Sequence, residues 1–473
     1  MNKNIFIQYG LGSMVDYEVA ENFYLALSMR LNTSYRQILS ISIPIMLGSA
    51  AQNIIVLSDN VFLYHYNSVD FAAAGLVGVF YLIIASIGYG FSRGGQIIIA
   101  RRNGELNYPG AGTNLQSLLL FELLLSILIF LLLRLGSPVM FKWFINDPEI
   151  YKKTLEYIMP RSFGVFFSYL GVALIAFYTG IARTKFIIYD TVVLIIVNLV
   201  LNYIFVFGHL GLPAMGISGA AYASTISEIV AFVVFIIYMV VDKGNRKYEL
   251  LKLHRLSMEN FSNMFKISTP IVFQSILGIG AWFLFFSFIE NIGIRELEIS
   301  NLLRTIYLIL SIPCWGYSAG INTLVSNFIG NKKRQAVLPL IFKTTKLNLL
   351  STMVISFPIL MFPEFFLYPL FGKEDMTLIL QAKPYMLLLF AILMTFGTGG
   401  IFINGLIGTG HTQTALRIQV IFTVIYILYS YYVIKYNYMG LSWAWAAEIV
   451  YWAGITILSY IYLRTNKWHL LKF

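Results

Sequence analysis

Long apolar stretches, each able to cross a bilayer as a helix, recur along this chain and constrain its fold more than any other feature. In hydrocarbon the backbone must satisfy its own N–H and C=O groups, which leaves helices or closed barrels, and a helical span needs about 20 mostly apolar residues. Twelve such stretches fall near 38–64, 72–99, 114–135, 155–180, 186–207, 217–241, 267–291, 298–329, 345–366, 384–410, 414–434 and 440–463. Several exceed the minimum length, so tilting or kinking is expected. Composition agrees: 58% of the 473 residues are hydrophobic and only 12% are charged, against about 25% charged in a soluble domain. The expected fold class is therefore an all-α polytopic membrane protein, with the lipid bilayer as its surroundings.

The net charge of +11 does not call for a nucleic-acid partner, because the basic residues flank the apolar runs. Of the 33 Lys and Arg, 22 fall in the two tails and the even-numbered connections and 8 in the odd-numbered ones, which predicts cytoplasmic termini. The third connection, with Arg134, Lys142, Lys152 and Lys153, runs against that trend. Cys314, the single cysteine, excludes an intramolecular disulfide and reads as a packing residue. The first 37 residues mix Asp16, Glu18 and Glu21 with short apolar runs, unlike a cleavable leader, so the first span is expected to target the chain. Translation from Met1 and from Met29 both stay open.

An internal repeat organises the spans. A shift of 226 residues superimposes Ile41-Ser42-x-Pro44-Ile45 on Ile267-Ser268-x-Pro270-Ile271, and then Tyr81, Gly90, Ser92, Gly94 and Gly104 on Tyr307, Gly316, Ser318, Gly320 and Gly330. A second echo, Met215-Gly216-Ile217-Ser218 against Met439-Gly440-Leu441-Ser442, lies at an offset of 224. Proline and several glycines recurring at one offset indicate duplication. The organisation predicted is an N-terminal cytoplasmic segment (1–37), an N-terminal lobe (38–241, helices 1–6), a cytoplasmic linker (242–266), a C-terminal lobe (267–463, helices 7–12) and a tail (464–473). Six helices per half is an even number, so both halves enter the membrane in the same sense and are related by a pseudo-twofold axis along the membrane normal. Pro44 and Pro270 occupy the same place in the first helix of each half, where a missing N–H bends a helix; each reads as a hinge or as a static kink.

A charged side chain at the centre of a span costs about 2.5–3.5 kcal/mol, so each needs a reason. Asp59 follows Pro44 on the first helix, and its counterpart at the repeat offset is Phe285, so the acid belongs to one half only. It reads as a site where a proton or Na⁺ neutralises a carboxylate, or as an acid reached by water near the helix end. Asn198 and Asn202, one turn apart on helix 5, could complete an oxygen shell around Na⁺ or join helices. Ser224 and Thr225 on helix 6 could add hydroxyls, and Gln52, Asn53 and Gln274 are candidates to face a cavity. Glu228 and Glu448, in the last helix of each half, read as paired structural or interface groups, and Glu290 as solvated.

With these residues in place, the chain resembles the multidrug and toxic compound extrusion (MATE) family of the multidrug, oligosaccharidyl-lipid and polysaccharide exporter superfamily, over about residues 36–463. The resemblance rests on Ile43-Pro44 followed by Ser58-Asp59, Gly94 to Gly104, Asn198-Leu199-Val200-Leu201-Asn202, Gly216-Ile217-Ser218-Gly219-Ala220-Ala221, Thr323-Leu324-Val325-Ser326 before Gly330, and Gly408-Thr409-Gly410-His411-Thr412. It implies twelve helices in two lobes, in a bacterial inner membrane, that export small organic and often cationic compounds in exchange for Na⁺ or H⁺. No further cofactor is implied, and the chain is read as a monomer. By the same resemblance Asp59 takes the coupling ion beside Asn198. Family members often carry an Asp at the position of Asn202, and some carry C-terminal-lobe acids where this chain has Gly278 and Phe396. One formal charge then remains in the site, favouring a single monovalent ion and no coupling from the C-terminal lobe. The alternative reading is a flippase for a lipid-linked oligosaccharide, supported by Arg93, Arg161 and Arg304 within spans. An enzyme is not expected, because His65, His209, His254, His411 and His469 are scattered.

Overall fold

A computed structural model describes residues 33–252, 258–366, 376–437, 439–465 and 468, without the side chains of residues 51–53, 56, 57, 79 and 376. Among the described residues there are helices and no strand. The N-terminal lobe comprises α1 (Tyr35–Tyr66), α2 (Ser68–Gly104), α3 (Tyr108–Phe144), α4 (Pro148–Gly180), α5 (Lys185–Phe207) and α6 (Gly216–Val241). The C-terminal lobe comprises α7 (Met258–Glu290), α8 in two pieces (Ile294–Leu310 and Ile312–Gly330), α9 (Val337–Met361), α10 (Thr377–Gly408), α11 (Thr412–Tyr436) and α12 (Leu441–Arg464). The chain is an all-α, multi-pass membrane protein of twelve helices in two six-helix lobes.

Helix pairing repeats between the lobes. In the first, α2 packs on α4, α4 on α6, α5 on α6 and α1 on α5; in the second, α8 packs on α10, α10 on α12, α11 on α12 and α7 on α11. The second echo marks a turn that demands glycine: Gly216 and Gly440 both adopt positive φ, +52° and +100°, entering α6 and α12. Two helices differ from the sequence expectation. The eighth span, expected as one helix over 298–329, bends by 45° at Ser311. Pro313 follows the break and lacks the N–H that would continue the ladder, whereas its repeat counterpart Ile87 keeps that bond and α2 runs unbroken. The third span is longer than 114–135, because a π-helical turn at Leu132–Gly136 carries it on to Phe144. The basic residues there find partners: Arg134 stacks over Phe163 at 4.8 Å, and Lys153 pairs with Asp70 at 3.1 Å and Glu156 at 3.2 Å. The 1–37 segment lies almost wholly outside the described residues, as do His254, His469 and most of 464–473.

The lobes meet through the repeated glycines, each set against its partner lobe. A Cβ on Gly94 would strike Ser268, and one on Gly320 would strike Ser42; Gly90 faces Val272 as Gly316 faces Met46; Gly104 faces the Asn327 carbonyl as Gly330 faces that of Arg101. Every contact in one lobe maps onto its mate by adding 226 to one residue and subtracting it from the other. Hydrogen bonds reinforce the crossing: Ser268 Oγ to Phe91 O (3.0 Å), Ser326 Oγ to Ile97 O (2.6 Å), Gln96 Nε2 to Thr323 Oγ1 (2.7 Å), Asn103 Nδ2 to Asn327 Oδ1 (2.8 Å) and Arg101 Nη2 to Thr409 O (2.8 Å). Among the described residues the inter-lobe hydrogen bonds of α2 all lie from Phe91 onward, so the bonded seal sits toward one end of the lobes. Forcing a side chain into such a contact costs about 1–3 kcal/mol. Gly94→Leu and Gly320→Leu are each expected to lower the thermal unfolding midpoint by similar amounts, measured on purified protein in detergent. Gly280→Leu, with nothing within 4 Å of its Cβ, is expected to leave it unchanged.

Candidate functional site

In the N-terminal lobe α1, α5 and α6 present one polar face each to a shared point. Asp59 comes from α1, Asn198 and Asn202 lie one turn apart on α5, and Ser224 comes from α6. Asn202 Nδ2 donates to Asp59 Oδ1 at 2.6 Å and to Asn198 Oδ1 at 3.1 Å. Ser224 Oγ donates to Asp59 Oδ2 at 3.1 Å, and Asn198 Nδ2 donates to Ser224 Oγ at 3.1 Å. Both asparagines are fully buried, and Asn202 Oδ1 is a buried acceptor without a partner among the described residues. Five oxygen atoms, two of them a carboxylate, thus gather on four side chains. Among the described residues no three His, Cys, Asp or Glu come together, so the donor set suits a hard monovalent cation or a proton rather than a transition metal.

Thr225, expected beside Ser224 in this site, turns the other way: its Oγ1 donates to Pro160 O on α4 at 3.2 Å. Successive helical residues point about 100° apart, so only one of the pair can face Asp59. Gln274, expected to face a cavity, is buried against α11, where its Nε2 lies 3.5 Å from Thr412 O and its own carbonyl accepts from Gln419 at 2.9 Å. Gln52 and Asn53 lie on α1, and their side chains fall outside the described residues. Pro44 sits within an otherwise continuous α1; the carbonyl it frees, Ser40 O, accepts from Thr184 Oγ1 at 3.2 Å. Pro270 likewise lies inside a continuous α7.

Two polar clusters were not assembled by reading the sequence. On α4 and α6, Arg161 pairs with Glu228 at 2.9 Å, and its guanidinium lies 4.2 Å over the Tyr81 ring. Gly164 makes the room: a Cβ there would meet Glu228, Thr225 and Arg161. In the C-terminal lobe Glu448 accepts from Trp282 Nε1 (2.7 Å), Trp452 Nε1 (3.0 Å) and Tyr426 OH (3.1 Å). The reading of Glu228 and Glu448 as paired groups is therefore corrected, since each has its own partners. The offset of 224 instead aligns Glu448 with Ser224, and Tyr426 with Asn202. Where the first lobe has an α1 acid held by amide and hydroxyl, the second has an α12 acid held by aromatic donors. The signal for both clusters was present, as Gly164 beside Arg161 and as the second echo, but neither spacing names a partner.

Breaking a buried ion pair costs about 3–5 kcal/mol because one charge is left uncompensated. Arg161→Gln alone is expected to lower the thermal midpoint clearly, and Arg161→Gln with Glu228→Gln to recover much of it, in a double-mutant comparison.

Comparison with known proteins gives consistent matches. The family model described as MatE matches residues 44–204 and 270–432, one block per lobe. A "Probable multidrug resistance protein NorM" of Thermotoga maritima is 24% identical over 92% of this chain and 93% of its own length. A protein of the same description from Photorhabdus laumondii is 26% identical over 63% of this chain and 66% of that protein. Among solved structures, one described as the outward-facing conformation of a multidrug resistance MATE family transporter of the MOP superfamily superposes with a TM-score of 0.82 at 20% identity, covering 93% of this chain and 96% of that one. A MATE structure in the straight conformation superposes with a TM-score of 0.83 at 20% identity, covering 93% and 97%.

Proposed function

The chain belongs to the MATE family, whose members are membrane transporters and not enzymes, and we propose that it is a cation-coupled antiporter that exports small organic, often cationic, compounds. The observation that carries this reading is the Asp59 cluster: one membrane-embedded carboxylate, buried amide and hydroxyl oxygens, and no basic side chain bonded to it. In the described arrangement N–H and O–H donors satisfy Asp59. Rotation of the Asn202 amide would present its unpartnered Oδ1 to the same point, exchanging a donor for an oxygen ligand as Na⁺ arrives. A proton on one Asp59 oxygen would replace one of the bonds from Asn202 and Ser224 with a donor of its own. Either event changes how α1 is held to α5 and α6.

The excess of basic residues in the even-numbered connections supports a cytoplasmic position for the sealed end of the lobes, and with it a state that opens outward. There the coupling cation has access from outside. Its binding at Asp59, Asn198 and Asn202 changes the hold of α5 on α1, which bends about Pro44, the lobes rearrange, and substrate taken up inside leaves as the cycle returns. One elementary charge crossing 100 mV contributes about 2.3 kcal/mol, or about fiftyfold in concentration.

Reconstituted into liposomes, the protein is expected to move a fluorescent organic cation when either a Na⁺ or a pH gradient is imposed separately. Asp59→Asn is expected to fall to the rate of empty liposomes under both gradients. Gradient-driven transport by Asp59→Asn at the wild-type rate would overturn the coupling scheme.

A further inference from the structure

Three arginines fall within the expected spans, and the structure separates them. Arg161 is neutralised by Glu228. Arg304 lies 4.7 Å over the Phe286 ring. Arg93 has no hydrogen bond, ion pair or ring contact with any other described residue. It shares one face of α2 with Tyr89, 42% exposed, and with Gln96, which bonds α8 through Thr323. Arg93 therefore lies one turn before Gln96 on the face of α2 that meets α8, between the lobes. Its repeat counterpart is Ala319, so the charge is not part of the symmetric packing that the glycines build. An unpaired guanidinium in a membrane costs free energy that no described residue recovers by a hydrogen bond or ion pair. A fixed fork of N–H donors is suited to a carboxylate or phosphate oxygen pair.

We propose that Arg93 is a substrate-binding residue that takes an anionic oxygen group, so that the preferred cargo is an organic compound bearing a carboxylate or phosphate, zwitterions included. This rests on the transport reading above and narrows its substrate class. Such a group would reach Arg93 from the open end, with the organic body left between the lobes. The Gln96–Thr323 bond one turn further along prevents it from passing until the lobes rearrange.

Rhodamine 110 carries a free carboxylate, and rhodamine 123 is its methyl ester; their binding to the purified full-length protein in detergent is read by fluorescence anisotropy. The wild type is expected to bind rhodamine 110 about tenfold more tightly than the ester, Arg93→Gln to lose that preference, and Arg93→Lys to keep part of it. Because Arg93 bonds nothing, Arg93→Gln is expected not to lower the thermal midpoint. Absence of a preference in the wild type, or its survival in Arg93→Gln, would overturn the proposal. Preference lost in Arg93→Gln, with no export of either dye under any gradient, would uphold the anion site and refute the transport reading instead. A fluorescent phospholipid flipped in liposomes by wild type and not by Arg93→Gln, with neither dye exported, would assign the anionic group to a lipid phosphate.

Discussion

Close approach of helix backbones at the inter-lobe crossing is the constraint on which the rest of this structure depends. Lipid is as apolar as the helices, so association inside a membrane rests on close packing and hydrogen bonds rather than on hydrophobic exclusion. Glycine provides both here. Gly94 and Gly320 admit the partner serines, and Gly104 and Gly330 admit the partner carbonyls. A crossing so built is tight where the glycines lie, and among the described residues the hydrogen bonds of α2 across it lie at the same end.

That geometry gives the Asp59 cluster its mechanical significance. The α1 helix takes part in both systems: near its start Ser42 and Met46 face α8 of the other lobe, and near its end Asp59 is held by α5 and α6 of its own. A change of charge or ligation at Asp59 therefore acts on a helix that also builds the crossing. Pro44 lies within the crossing, between Ser42 and Met46, and the carbonyl it frees is held by one hydroxyl, that of Thr184, rather than by the helix ladder. The C-terminal lobe carries no equivalent arrangement. Its α7 has Phe285 at the position of Asp59, and its acid, Glu448, is fixed by three neutral donors in an aromatic setting.

Much of this was legible in the sequence because membrane helices restrict the alternatives. The repeat offset of 226 paired the glycines that prove to face opposite lobes, and the one-turn spacing of Asn198 and Asn202 put both on one face with Asp59. What could not be read was rotation about a helix axis. Ser224 and Thr225 are adjacent and chemically alike, yet only one faces Asp59. Gln274 is polar in an apolar helix, and its neighbours on α11 rather than a cavity explain it. The α8 bend needed Pro313 to be weighed against its counterpart Ile87, and the Arg161–Glu228 pair joins residues 67 positions apart with no motif between them.

The central claim is that occupancy at Asp59 governs which end of the molecule is open, and the separation of the lobe tips measures it directly. Spin labels at Tyr64→Cys on α1 and Phe283→Cys on α7, both on exposed sites, in a Cys314→Ser background, report that distance by double electron–electron resonance. Adding the coupling cation is expected to change the ratio of a long-distance and a short-distance population, and Asp59→Asn is expected to fix that ratio whatever the Na⁺ concentration or pH. A distribution insensitive to cation in the otherwise wild-type protein, or one that shifts equally in Asp59→Asn, would contradict the account.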